Sequence, residues 1–140
     1  MHNKSRTSLV LMELIITILF FSLASAVCVQ LFVQSHLTTK DTKKLNFAVS
    51  ISQSIAEVMR GTDGSLEDIQ IYFPKAVGDD DYFVLYYDEE FNETDNVDLA
   101  KYAADVTVSS VSKLYNMDIT FVDLTDYSNI YSLSTSKYIR

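Results

Sequence analysis

Glycine occurs three times in these 140 residues, histidine twice, proline and cysteine once each, and tryptophan not at all. Each scarcity removes a class of function. Three glycines cannot furnish a phosphate-cradling loop. The lone Cys28 excludes an internal disulfide, and its place in an apolar run marks it as a small hydrophobe rather than a nucleophile. His2 and His36 both lie near the N-terminus, so residues 37–140 offer no imidazole to activate one of the many serines. No carboxylate spacing suggests a hydrolase either. We expect neither an enzyme nor a cofactor. Positive charge is also scarce: 11 Lys and Arg stand against 19 Asp and Glu, for a net −8. Residues 61–140 hold 16 of the acids against five bases, a net −11 that opposes direct binding to nucleic-acid phosphates.

What is abundant is apolar surface in one place. From Leu9 to Val33 runs "LVLMELIITILFFSLASAVCVQLFV", interrupted only by Thr17, Ser22, Ser25, Gln30 and one charged residue, Glu13. About 25 residues suffice for a helix to cross a hydrocarbon core about 30 Å thick. His2, Lys4 and Arg6 precede the run and Lys40, Lys43 and Lys44 follow it. The bases before the run, with no acid among them, predict an N-terminus on the cytoplasmic side of the cytoplasmic membrane and distal residues outside. Within such a segment a carboxylate costs about 2.5–3.5 kcal/mol on insertion scales, so Glu13 needs a partner.

Three readings of this N-terminus compete. A secretory signal would end at Ala24–Ala26, "ASA", but Glu13 interrupts its apolar region and the hydrophobicity continues through Val33. A lipidated Cys28 is disfavoured by Val27, where a small residue is expected. A plain signal anchor, carrying an extracellular binding domain on a single span, accounts for the length but not for Glu13. The third reading rests on "KSRTS" followed by "LVLMELIITILFFSLASAV". This stretch resembles the class III signal of type IV prepilins and type II secretion pseudopilins: a short basic leader, a small residue, an apolar start and a glutamate fifth in the mature chain. Ser8 and Leu9 stand where that family usually has glycine and phenylalanine, and no proline interrupts the run.

The resemblance implies cleavage by a prepilin peptidase between Ser8 and Leu9, and N-methylation of Leu9. It implies assembly with other pilin or pseudopilin subunits, driven by a filament-assembly ATPase and its membrane platform, after storage in membrane lipid. It also implies a role for Glu13: to neutralise the N-terminal amine of a neighbouring subunit, so that two groups costly in lipid compensate each other.

The residues beyond the run predict the rest of the fold. Leu45, Ala48, Ile51 or Ser52, Ile55, Val58 and Met59 recur at steps of three and four, an amphipathic stripe closed by Arg60 and Gly61. With no glycine or proline between Leu9 and Arg60, a nearly continuous helix of roughly 78 Å is expected at about 1.5 Å per residue. "SLEDIQIYFPKA" reads as a short helix or turn, and Pro74 argues against a central strand there. Tyr82–Tyr87 reads as a strand between two acidic clusters, Asp79–Asp81 and Asp88–Glu90, read as solvated strand ends without the spacing of a calcium loop. Period-two patterns at 102–109, 115–121 and 131–133 predict an antiparallel meander with one apolar face, joined by "SSVSK" and "DLTDYSN". The expected fold class is α+β, pilin-like, with a long N-terminal helix packed on an antiparallel β-meander. The expected divisions are 1–8 leader, 9–34 membrane or filament-core helix, 35–61 amphipathic continuation and 62–140 acidic β domain.

Overall fold

The structure, a computed structural model, describes residues 2–138, with side chains from residue 4. Met1 of the expected leader and the terminal base Arg140 lie outside the described residues. The chain divides into two units, Met1–Thr42 and Lys43–Arg140. The described part of the first is helical throughout and belongs to α1, His2–Gly61. The second holds the last part of α1, a short α2 (Leu66–Tyr72) and six strands: β1 (Val77–Gly78), β2 (Tyr82–Tyr87), β3 (Glu93–Thr94), β4 (Tyr102–Val111), β5 (Leu114–Asp123) and β6 (Ser128–Tyr138). The expected α+β class, a long helix packed on an antiparallel sheet, is what forms.

Strand order is β1-β2-β4-β5-β6, with β3 added to the outer side of β2, and every pairing is antiparallel. β4, β5 and β6 follow one another in sequence and in space through short turns, whereas the segment 88–101, which carries β3, connects β2 to β4. The register aligns one apolar face. Leu85 opposes Ala104, which opposes Phe121; Phe83 opposes Val106, which opposes Ile119. All six are essentially inaccessible to solvent. Against this face α1 lays Ala48, Ile55, Ala56 and Met59, while Ile69 of α2 and the following Phe73 complete the core.

Local chemistry explains the element ends. At the end of α1, the amide of Thr62 donates to the carbonyl of Val58. The residue with a left-handed backbone is Gly64 (φ +83°) rather than the expected terminator Gly61, which is the last helical residue. Ser65 caps α2 by accepting from the amide of Asp68 at 3.3 Å, and Glu67 and Asp68 in the first turn favour its positive end. The expected loop "SSVSK" is shorter than the sequence suggests. Ser109, Ser110 and Val111 continue the ladder, because Ser112 takes φ +59° and closes the β4–β5 hairpin in two residues.

The helical stripe also settles in a definite register. Ser52, not Ile51, faces straight into the core and is fully buried, whereas Leu45 turns outward at 44% exposure. The hydroxyl of Ser52 has no hydrogen-bond partner there. An orphan buried hydroxyl is a cost rather than a gain. Ser52→Ala should therefore be neutral or stabilising, while Ile55→Ala should cost about 2–5 kcal/mol by opening a cavity. Denaturation of the detergent-solubilised chain followed by circular dichroism checks both. The same measurement should separate two glycines. A Cβ on Gly78 (φ +149°) would sit 2.2 Å from the Tyr82 carbonyl oxygen, whereas one on Gly61 meets nothing within 4 Å. Gly78→Ala should thus lower stability by more than about 1 kcal/mol and Gly61→Ala should not.

Candidate assembly site on the N-terminal helix

Ser8, Leu9 and Glu13 all lie within α1 and all are exposed. From Leu9 to Val33 every large apolar side chain is between half and three-quarters exposed. Nothing among the described residues covers this apolar surface. By length and composition the helix is able to cross a membrane.

Two hydroxyls in the run are handled locally. Thr17 donates to the carbonyl of Glu13 at 2.8 Å and Ser22 to that of Ile18 at 2.9 Å. Further along, Thr38, Thr39 and Thr42 do the same to the carbonyls four residues before them. A hydroxyl bonded within its own helix crosses hydrocarbon at low cost. The carboxylate of Glu13 has no such option. Among the described residues no hydrogen bond or ion pair reaches it. No family model, curated protein or solved structure matches the chain. The site therefore stands on its own geometry: a single acid without a partner among the described residues, four residues after Leu9, in a run that is otherwise uncharged through Val33.

Within the second unit, α1 is pinned by contacts that the sequence does not announce. Lys44, one of the bases flanking the apolar run, donates to Asp123 at 3.0 Å, with its side chain one-third exposed and that of Asp123 8% exposed. Beside this pair Phe47 stacks on Phe91 (ring centroids 4.6 Å apart) and Phe91 on Tyr102 (5.1 Å), while Phe47 meets Tyr87 and Phe121 edge-on. Phe91 holds this place with φ +65°, a conformation bulky residues rarely adopt. Its two stacked neighbours hold the ring there. Burial pushes the Tyr87 phenol well up, with Glu93 adding to it.

Part of each acidic cluster is engaged locally. Asp80 accepts from the amide of Leu66 at 2.7 Å, and Asp88 accepts from the amides of Glu90 and Asn92 at 2.9 Å each. Among the described residues no three His, Cys, Asp or Glu side chains converge as a metal shell.

Asp123 gives the junction a pH signature. Burial pushes its carboxyl up, but the amide and hydroxyl of Thr125 and the ammonium of Lys44 outweigh it, leaving the group below its ordinary 3.8. A carboxyl depressed by folding contributes stability above its unfolded value and loses it as pH falls through the folded one. Acid denaturation of the wild type should therefore steepen below pH 3.8, and Asp123→Asn should flatten that limb. Lys44→Met, read at neutral pH, should cost about 1.5 kcal/mol, the lower end for a bond to a charged group because Lys44 is partly solvated.

Proposed function

We propose that this chain is a non-enzymatic, pilin-like or pseudopilin-like structural subunit, stored in the cytoplasmic membrane and assembled through α1 into a type IV pilus or type II secretion-like filament. The observation that carries this reading is Glu13. A carboxylate without a partner inside 25 exposed, otherwise uncharged residues is expensive to an ordinary anchor, which only has to be apolar. It becomes useful once a cationic group lies beside it.

In the proposed sequence of events a prepilin peptidase cuts between Ser8 and Leu9, and the new amine of Leu9 is methylated. Glu13, fifth in the mature chain, then meets the amine of a neighbouring copy. Pairing within hydrocarbon sets the register between adjacent helices, because the acid and the amine each lose hydration and regain it only in each other. An assembly ATPase and its platform would supply the work of extraction from lipid. The apolar side chains from Leu9 to Val33 exchange lipid for neighbouring helices, a transfer between two apolar surroundings that costs little by itself. The helix-on-meander domain, a pilin-like architecture, supports the same reading.

Two measurements test it. The N-terminal sequence and intact mass of chain recovered from membranes containing a prepilin peptidase should show a start at Leu9. A start at Val27 points to a secreted protein, and an intact leader to a simple anchor. Glu13→Leu should leave membrane insertion intact and lower the yield of sedimentable filaments by roughly tenfold or more, the population change that about 1.4 kcal/mol produces. Wild-type incorporation of that variant would remove the register role.

A further inference from the structure

The bond between Ser8 and Leu9 lies inside a helix. α1 begins at His2, so both residues of the proposed cut have helical backbone, and both side chains are exposed. In an α-helix the Ser8 carbonyl accepts from the amide of Met12, and the Leu9 amide donates to the carbonyl of Ser5. A peptidase has to bring water to the Ser8 carbonyl carbon: the C–N bond breaks, the hydroxyl stays on Ser8 and a proton goes to the Leu9 nitrogen. Recognition of a chain through its main-chain donors and acceptors needs those groups free and the backbone extended. The helix keeps them engaged.

α1 changes character at this bond. On the N-terminal side the first turn holds Lys4 and no acid, and a cation at that end opposes the helix dipole. Ser5, Thr7 and Ser8 are also poorer helix formers than alanine or leucine. On the other side, from Leu9 to Val33, Glu13 is the only charged residue. Backbone groups freed in hydrocarbon find no water, so helix lost there is costly.

We infer that cleavage proceeds through local unwinding of α1 from its N-terminal end as far as Leu9, and that the helix stability of residues 4–8 sets the fraction of chain the peptidase binds. Unwinding stops at Leu9 because the residues beyond it would leave backbone groups unpaired in lipid. The place of the cut and the start of the apolar run then share one physical cause. Thr7 is a positioning residue, acting through the helix rather than through contact with the peptidase. This inference rests on the prepilin reading above and adds to it what controls processing.

The test uses the full chain in detergent micelles with purified prepilin peptidase. Thr7→Gly and Thr7→Ala bracket the helix propensity of threonine without changing charge. Because only the open fraction binds, the substitutions should act on KM and leave kcat unchanged. KM should be lower for Thr7→Gly than for Thr7→Ala by up to about fivefold, the ratio set by the difference between glycine and alanine inside a helix. Amide hydrogen exchange of residues 5–9, measured without peptidase, should be faster in Thr7→Gly than in Thr7→Ala. Adding Ser5→Gly to Thr7→Ala should bring KM back toward the wild-type value, which a lost side-chain contact at residue 7 does not allow. Equal KM values for the two Thr7 variants, a difference confined to kcat, an order that departs from hydrogen exchange, or no rescue by Ser5→Gly overturns the unwinding and leaves the prepilin reading standing. A wild-type chain that never starts at Leu9 overturns both.

Discussion

One helix carries two kinds of surface. From Leu9 to Arg60 the chain contains neither glycine nor proline, so the backbone donors and acceptors can be met within α1. Hydrocarbon admits a lone segment only on that condition. The same continuity lets the side chains change character along the helix. Residues 9–33 present an apolar surface on every side, whereas beyond Lys43 the apolar positions narrow to a stripe, Ala48, Ile55, Ala56 and Met59, that covers a sheet. Everything that gives the second unit a core depends on that stripe, because the meander has only one apolar face of its own.

Two charged residues of α1 illustrate opposite treatments of charge. Lys44 and Asp123 form a pair whose acid is nearly buried and whose base keeps contact with water, with Thr125 completing the carboxylate's bonds. Nothing further is required of the surroundings. Glu13 has no counterpart among the described residues, and the medium proposed for it cannot solvate it. An interaction completed within the molecule holds a fold, whereas one left open within it is a demand on a neighbour. The reading of the chain as a subunit rests on that difference.

Much of the architecture was legible because its signals are periodic. Alternation at 102–109 and 115–121 gave β4 and β5, and steps of three and four gave the docked part of α1. The aromatic run Tyr82–Tyr87 coincides with β2. What escaped is geometry without period. β1 and β3 are two-residue strands fixed only by their pairing with β2. The tight hairpin depends on a positive φ at Ser112, which serine does not advertise. Lys44 read as one of three bases beside a membrane, and only the fold brings it to Asp123, 79 residues away. Phe91 lay in an acidic stretch that read as solvated, yet its ring joins Phe47 to Tyr102. At the candidate site the residue types and spacing were fully visible, since Glu13 stands out in any reading of the run.

The order of strands in the sheet bears on how the distal unit reaches its native state. Each long strand pairs with its neighbour in sequence, so loop closure within the sheet is inexpensive and its hairpins belong to the fast end of β-sheet formation. The slow contacts are those between α1 and the sheet, whose partners lie many tens of residues apart. Synthesis delivers the helix first and β6 last. The exposed inner face of the meander is therefore a transient species, and the waiting stripe of α1 shields it from aggregation as soon as the sheet assembles. Because helix and sheet belong to one chain, that docking is an intramolecular step at high effective concentration.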